Sequence, residues 1–367
     1  MAAFLLFRAL GLGCDMFAFC DRVKVFILLA LVFLLAACSG EPEKQPLRLQ
    51  GQIFGTFWLA TFPDEWSEQQ AKQIEQGILQ ELEAVNASMS TYIEDSELNQ
   101  LNQAELGEWV EVSSELFEVL KISQQIAAAS DGAFDVTIGG LVNLWSFGPE
   151  ARPENLPATS ELQERLDQLG YRYLELDADN QRARRMQDFF IDLSGVAKGY
   201  AVDQVAFWLK QQGVDNFLVN IGGDLIVGGE RKPGQPWRIG VEVPDGSIQQ
   251  AHHILPLVDS SIATSGDYRN YYEVDGRRMS HTINPRTGWP VDHNLASVTV
   301  QHSSNAVADA WATAFMVLGT EASLEVANRE GIKLLSISRD GDAWRTDLSE
   351  AFKQQLGSEL SNKLLNP

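Results

Sequence analysis

The order in which strand-like and helix-like segments follow one another constrains the fold of this chain more than any other sequence feature. A long amphipathic helix is predicted over Asp64–Val85, because apolar residues recur there at helical spacing. Further along, Asp275-Gly276 and Asp340-Gly341 each separate two strand-like runs, which is typical of hairpins. Because the order is neither a regular strand–helix alternation nor all strands, we predict an α+β fold with mixed, largely antiparallel sheets and packed helices.

The remaining elements follow from the same periodicities and from their boundary residues. The further predicted helices are Leu116–Ala129, Leu162–Leu169, Gly199–Gln212 and Asn305–Leu318, the last with Asn305 as its N-cap. The predicted strands are Gln50–Phe62, Tyr171–Leu176, Phe189–Leu193, Phe217–Ile221, Arg238–Val243, Ile254–Ala263, Tyr271–Val274, Arg278–Ile283, Val298–Gln301, Lys333–Ser338 and Ala343–Thr346. No internal repeat or low-complexity tract interrupts residues 50–367, so we predict one large domain there, with one or two lobes.

The N-terminus has the pattern of a lipoprotein signal. An apolar run, Val25–Ala37, follows two basic residues and ends in small residues before Cys38. This pattern predicts a signal peptide over residues 1–37, a lipid on Cys38 and a tether over residues 38–49. An uncleaved membrane anchor is the alternative, but the run is shorter than the about 20 apolar residues that a spanning helix needs.

The composition narrows the classes of function. The net charge is -22, which argues against nucleic acid as a partner, because phosphate backbones are bound by basic patches. A single nucleotide remains compatible, since a metal ion and backbone N–H groups can hold its phosphates. Of the three cysteines, Cys14 and Cys20 leave with the signal peptide and Cys38 carries the lipid, so no disulfide is expected.

Two glycine-containing turns are candidates for ligand binding. Asp192–Gly199 joins a predicted strand to a predicted helix, where unpaired N–H groups and Lys198 suit a phosphate. In Asn220–Asp224, paired glycines let the backbone turn sharply or approach a ligand. Taken alone, each segment is explained more simply as an ordinary turn.

Two further segments carry side chains suited to catalysis. His281 opens the loop 281–288, and histidine is the side chain best suited to take a hydroxyl proton near neutral pH, although a single histidine is more often structural. Asp309 and Thr313 stand four residues apart on a predicted helix, so both share one face and can coordinate Mg²⁺. A hydrogen bond from Thr313 back along its own helix is the alternative.

The order and content of these segments together resemble the signature of the ApbE family of flavin transferases. The residues that carry the resemblance are 192–203, Asn220–Asp224, Ala263–Tyr268, His281–Gly288 and Ala308–Thr313, with Phe54–Thr56, Met89–Tyr92 and Gly132–Thr137 upstream. The likeness extends from Gly51 to the C-terminal region. It implies an ApbE-like architecture related to the T-fold.

The resemblance implies an enzyme that transfers FMN from FAD to a threonine hydroxyl of a target protein, with magnesium as cofactor and AMP as the second product. Implied targets include subunits of the sodium-pumping NADH:quinone reductase and of the Rnf complex. Two alternatives stay open: an FAD pyrophosphatase that gives FMN and AMP, and a non-catalytic flavin-binding lipoprotein. With a lipid on Cys38, the protein is expected on the periplasmic face of a membrane, inner or outer.

The resemblance also implies roles for particular residues. His281 would be the general base. Magnesium would be bound by Gly195 through its backbone carbonyl, Asp309, Ala312 and Thr313. FAD would contact Phe54, Tyr92, Ala133, Phe134, Asp135, Asp192, Lys198 and Ile283. Some relatives have aspartate in place of Ala312 and glutamate in place of Lys198, so the metal ligands and the pyrophosphate contacts are expected to differ in this chain.

Overall fold

The computed structural model describes residues 46–148, 156–244, 251–268, 270–274 and 277–366. Residues Pro46–Pro367 form one compact unit. The predicted signal peptide, the lipid on Cys38 and most of the predicted tether lie outside the described residues, and the last tether residues, from Leu47, already belong to a strand. In the part of the chain that is described, no helix combines the length and hydropathy needed to cross a bilayer.

Helices and antiparallel strands alternate irregularly along the chain, as predicted for an α+β fold. The helices are α1 (Glu68–Met89), α2 (Glu97–Gln103), α3 (Ser114–Ala129), α4 (Gly139–Leu144), α5 (Thr159–Gln168), α6 (Ala197–Gln211), α7 (Asn305–Leu318), α8 (Thr320–Glu330) and α9 (Glu350–Leu365). The strands are β1 (Leu47–Ile53), β2 (Thr56–Phe62), β3 (Val110–Glu111), β4 (Leu174–Asp177), β5 (Arg182–Arg185), β6 (Phe217–Ile221), β7 (Asp224–Gly228), β8 (Trp237–Glu242), β9 (Ala251–Leu257), β10 (Ser260–Gly266), β11 (Tyr271–Val274), β12 (Arg277–Ser280), β13 (Leu295–His302), β14 (Lys333–Asp340) and β15 (Ala343–Leu348).

An eight-stranded antiparallel sheet organises the molecule, in the order β1-β2-β6-β7-β10-β13-β14-β15. Side chains alternate between its faces, so Ala263 joins one core with residues of α1, α6 and α7, while its neighbour Ile262 joins a second core. The second core contains the β8–β9 hairpin and α9. The sheet therefore lies between two apolar layers, and α6 and α7 lie together on one of its faces.

Two predicted strands are each split in the structure. Gln50–Phe62 was predicted as one strand but forms β1 and β2, which turn at Phe54 with φ of 52°. Ile254–Ala263 likewise contains the end of β9 and the start of β10, separated near Asp259, whose φ is 42°. Both breaks place a residue other than glycine in the left-handed region, and at the first of them Gly55, with φ of 71°, follows Phe54. Gly55 and Asp259 are typical turn residues, so the sequence marks both breaks.

The prediction of a strand at Phe189–Leu193 was wrong. Only Phe190 forms an isolated bridge, to Ile138. The side chain of Asn102 takes the place of a neighbouring strand, because its amide accepts from the Ile191 N–H at 2.7 Å and donates to the Ile191 carbonyl at 3.0 Å. A side chain 89 positions away thus satisfies the backbone groups that a strand partner would otherwise bind.

Capping explains why one helix start and one helix cap differ from the predictions. Helix α1 begins after Ser67, which forms a capping box with Gln70. Helix α7 is capped by Ser304 and not by Asn305. The buried Asn305 side chain instead donates to the carbonyls of Leu225 and Ile262, which ties α7 to two strands of the large sheet.

Candidate active site

Helices α6 and α7 approach each other so closely that only glycine fits at position 199. A Cβ on Gly199 would lie 2.4 Å from the Asn305 carbonyl oxygen and 2.8 Å from the Asp309 Cβ. The Gly199 N–H donates to Asp309 Oδ2 at 3.1 Å. The first turn of α6, predicted to offer free N–H groups, thus binds a carboxylate of the chain itself, whose negative charge suits a helix N-terminus.

Lys198 lies between two buried carboxylates. Its Nζ is 2.6 Å from Asp224 Oδ2 and 3.2 Å from Asp309 Oδ2. Asp224 begins β7, and its other carboxylate oxygen accepts from the Thr264 N–H at 3.2 Å. Three of the segments that carry the family resemblance, around residues 198, 224 and 309, therefore meet in one cluster.

The charges in this cluster shift each other's protonation. Burial and the neighbouring charge of Asp224 raise the pKa of Asp309 to about 7, against the opposing effects of Lys198 and the Gly199 N–H. Burial alone would lower the pKa of Lys198, but the charges of Asp224 and Asp309 outweigh it and raise that pKa above its ordinary value. The lysine is therefore charged near neutral pH, and Asp309 titrates there.

The predicted metal ligands lie together, with one exception. Asp309 and Thr313 share a face of α7, and a Cβ on Gly195 would be 3.1 Å from Thr313 Oγ1. Ala312 is fully buried, and its methyl group offers no ligand atom. Carboxylate, hydroxyl and carbonyl oxygens are the donors that Mg²⁺ prefers, so the residues present fit this ion. The described residues contain no group of three or more His, Cys, Asp or Glu side chains arranged to hold a metal.

His281 is half-buried and is oriented by a single carbonyl group. The Asn270 carbonyl oxygen lies 3.1 Å from the His281 backbone nitrogen and 3.0 Å from its Nδ1. Because a carbonyl only accepts, Nδ1 carries the hydrogen and Nε2 keeps its lone pair. Burial lowers the pKa of His281, the charge of Lys198 acts in the same direction, and the Asn270 hydrogen bond and Asp267 oppose the shift. The ring is thus neutral near pH 7.

Several of the predicted FAD contacts surround this cluster. Phe134 lies against Gly195, since a Cβ there would be 3.2 Å from Phe134 Cε2, and Ala133 precedes it in the same buried turn. Tyr92 is largely exposed, and its partial burial, followed by the charge of Asp192, raises the pKa of Tyr92. Such an exposed aromatic ring next to a polar turn provides a surface on which a planar ligand can stack.

Other predicted contacts have a structural role. The Asp135 carboxylate accepts from the Thr137 N–H, the Thr137 hydroxyl and the Tyr171 N–H, so its oxygens connect this turn to the segment at residue 171. Ile283 is buried in a small apolar cluster that includes Trp145. Phe54 lies at the β1–β2 turn, which contacts the glycine pair at 222 and 223 through the hydrogen bond from the Gly222 N–H to the Phe57 carbonyl.

Asp224 is a residue of the cluster that was not among the predicted site residues. Its only sequence signal is its place directly after Gly222-Gly223 in a segment that was noted for its glycines. Its burial, with 2% of its surface exposed, and its contact with Lys198 become visible only when β7 pairs with β10.

Comparison with known proteins agrees with this arrangement of segments. Residues 54–336 match the ApbE family. The chain belongs to the ApbE family. It is 36% identical to the FAD:protein FMN transferase of Escherichia coli (strain K12), over 90% of this chain and 97% of that protein. It is 39% identical to the protein of the same name from Vibrio cholerae serotype O1, over 89% and 97% of the two chains.

Solved structures of ApbE proteins have the same fold. The flavin transferase ApbE from Vibrio cholerae superposes with a TM-score of 0.76 at 38% identity, over 84% of this chain and 99% of that one. The apo form of the Pseudomonas stutzeri flavinyl transferase ApbE gives a TM-score of 0.77 at 34% identity, over 87% and 99%. The predicted ApbE-like architecture is thereby confirmed.

Proposed function

We propose that this ApbE family member is an FAD:protein FMN transferase that requires magnesium and releases AMP. The relatives with this name cover nearly all of the chain. The observation that carries the proposal is the placement of a neutral, oriented imidazole, His281, within the electrostatic reach of the Lys198–Asp224–Asp309 cluster. A proton acceptor near buried carboxylates that could take a cation suits phosphoryl-group transfer, which depends on positioning and charge neutralisation.

In the proposed reaction a threonine hydroxyl of the target protein attacks the phosphorus of the FMN half of FAD. The bond from that phosphorus to the oxygen shared with the AMP half breaks, and AMP leaves with that oxygen. His281 Nε2 takes the hydroxyl proton, since Nδ1 already donates to Asn270. A positioned general base of this kind contributes about 10²–10⁴-fold to the rate.

Magnesium would be held by the Asp309 carboxylate, the Thr313 hydroxyl and the Gly195 carbonyl. When bound, it would supply positive charge that stabilises the departing phosphate group. Lys198 would contribute a second cation next to the pyrophosphate, because its Nζ lies at the mouth of the same cluster with 31% of its side chain exposed. The exposed ring of Tyr92 would provide a stacking surface for the flavin or adenine ring.

The cellular setting is part of the proposal. Processing before Cys38 would leave a lipid anchor, with the catalytic domain at the periplasmic face of a membrane. The proposed acceptors are threonine-bearing subunits of respiratory redox complexes, such as the sodium-pumping NADH:quinone reductase or the Rnf complex.

The proposal is tested with the chain from Ser39 onward, FAD, magnesium and an acceptor subunit, by intact mass of the acceptor and by AMP release. We expect an FMN-sized mass gain that is lost in Asp309→Ala and in excess chelator. AMP and free FMN without acceptor modification would instead favour the pyrophosphatase, in which water replaces the threonine. FAD binding without release of AMP would favour the non-catalytic flavin-binding lipoprotein.

A further inference from the structure

We infer that Asp267 and Arg339 are positioning residues for His281, because Asp267, at the end of β10, is held by Arg339 of β14 and in turn binds Arg278 of the hairpin that precedes the imidazole. This inference rests on the proposed function, in which His281 is the base. It concerns residues outside the metal and flavin contacts described above.

Asp267 forms a bidentate ion pair with an arginine of the large sheet. Its two carboxylate oxygens accept from Arg339 Nη2 at 2.7 Å and from Arg339 Nη1 at 2.9 Å, and Arg339 belongs to β14. Only 8% of Asp267 is exposed, so the pair is shielded from water on the carboxylate side. Planar pairs of this kind fix geometry as well as charge.

A second arginine reaches the same residue from the hairpin. Arg278, on β12, donates through Nη2 to the main-chain carbonyl of Asp267, and its guanidinium lies 3.9 Å from the centre of the Tyr271 ring. Asp267 therefore receives one arginine from the eight-stranded sheet and one from the two-stranded β11–β12 sheet. Asp267 thus connects the two sheets, through its carboxylate to β14 and through its main-chain carbonyl to β12.

The β11–β12 hairpin links Asp267 to the imidazole of His281. Tyr271 pairs with Ser280 in the β11–β12 register, so the residues next to them, Asn270 and His281, face each other across the open end. The Asn270 carbonyl then binds both the backbone nitrogen and Nδ1 of His281. A shift of the hairpin relative to the sheet would move this carbonyl, and with it the direction of Nε2.

The experiment compares two arginine substitutions on neighbouring strands. Arg339→Met removes the ion pair, whereas Arg345→Met on β15 removes a more exposed pair, with Asp347 at 2.9 Å, and serves as the control. We expect Arg339→Met to lower kcat for FMN transfer by about 10- to 100-fold, as for a small misplacement of a catalytic group. The KM for FAD should change little, and Arg345→Met should behave as wild type. Arg339→Lys, which keeps the charge without the planar fork, should recover only part of the rate.

A spectroscopic measurement tests the inference without activity. In wild type, ¹⁵N–¹H correlation spectra of the His281 imidazole should show a neutral ring with a hydrogen-bonded Nδ1–H, and in Arg339→Met this resonance should shift or broaden. A folded Arg339→Met variant with wild-type kcat and an unchanged imidazole spectrum would overturn the inference. If Arg339→Met does not fold, Asp267→Asn, which keeps the shape of the side chain, is measured in the same way with the same two outcomes. If the wild-type chain transfers no FMN, the proposed function fails, and the imidazole spectra still decide the inference.

Discussion

Lys198 supplies one positive charge to two buried carboxylates, so the cluster it forms with Asp224 and Asp309 is one positive charge short. The raised pKa of Asp309, about 7, is the consequence of this imbalance and of burial. A divalent cation would supply the missing positive charge and lower the pKa of Asp309, because the added charge favours the ionised carboxylate. The local electrostatics of the chain thus favour cation binding at the position where the sequence predicts magnesium.

His281→Ala should lower kcat for FMN transfer by about 10²–10⁴-fold, because the general base is removed while the cluster around Asp309 stays in place. FAD affinity, measured by fluorescence titration, should stay within a few fold of wild type. His252→Ala is the matched control, since His252 is a half-buried histidine on β9 whose ring lies tilted against that of His253, with 4.2 Å between the ring centres. Loss of FAD affinity in parallel with the rate would mean that His281 acts through the fold.

The pH dependence of kcat should reflect the protonation of the His281 imidazole. Burial lowers the pKa of His281 from its ordinary value of 6.5, so the basic form prevails above that value and is lost as pH falls through the lowered pKa. The acid limb of kcat should therefore lie below pH 6.5, with magnesium saturating so that protonation of Asp309 does not limit the rate. If the acid limb of kcat persists unchanged in His281→Ala, it arises from the titration of another group.

At the scale of elements, the contact between α6 and α7 decides whether the cluster forms. Gly199→Ala would place a methyl group 2.4 Å from the Asn305 carbonyl oxygen, so the helices must separate. We expect a destabilisation of about 1–3 kcal/mol and weaker magnesium binding. In Gly140→Ala on α4 the added Cβ meets only Arg165 at 3.4 Å, so denaturant titration should show wild-type stability or a slight gain.

Asp203 fastens the first turn of α7 to α6. Its carboxylate accepts from the Ser304 hydroxyl at 2.7 Å and from the N–H groups of Asn305 and Ala306 at 2.7 and 3.0 Å. Asp203→Ala leaves these donors without an acceptor, which should lower the free energy of unfolding by about 1–3 kcal/mol. Asp179→Ala, at an exposed side chain between β4 and β5, should change it by less than about 0.5 kcal/mol in the same denaturation experiment.

Elements with a strong periodicity or a Gly-containing turn were predictable from the sequence. Helix α7 has its predicted bounds, and both predicted hairpins form, as β11–β12 and β14–β15. Helices α2, α4, α8 and α9 were not predicted: α2 and α4 are short, α2 is polar on its exposed side, and α9 contains Gly357 with φ of 74°. Their stability depends on packing and capping, for example by Ser96 and Ser349, which a single periodicity does not reveal.

The residue types of the site could be predicted from the sequence, but the contacts of their side chains could be predicted only in part. The segments that contain Lys198, Asp309 and His281 were recognised because their residue types match the family signature. Asp224 was not recognised, because its burial depends on strand pairing between distant segments. The FAD contact of Asp135 stays a prediction; in the structure its carboxylate accepts hydrogen bonds from Thr137 and Tyr171. Side-chain direction is set by tertiary contacts, and motif position alone does not give it.

At the scale of the whole molecule, one sheet separates two apolar cores within a single compact unit. We therefore expect residues 46–367 to unfold in one transition. Magnesium and FAD together should raise the midpoint, since a ligand at 100 times its Kd stabilises the folded state by about 2.7 kcal/mol. Differential scanning calorimetry with each ligand alone and with both tests this, and Asp309→Ala, which lacks the proposed metal ligand, should lose the effect of magnesium.

The groups that meet around Lys198 are far apart along the chain, with Asp309 lying 111 residues after the lysine. During synthesis from the N-terminus, a nascent chain that ends before Asn305 has the lysine but no helix α7 to supply Asp309 and Thr313. Such an intermediate cannot form the cluster of Lys198, Asp224 and Asp309. The Gly199 N–H also lacks the Asp309 carboxylate as its acceptor. The site is thus complete only once α7 has been made and has packed against Gly199 of α6.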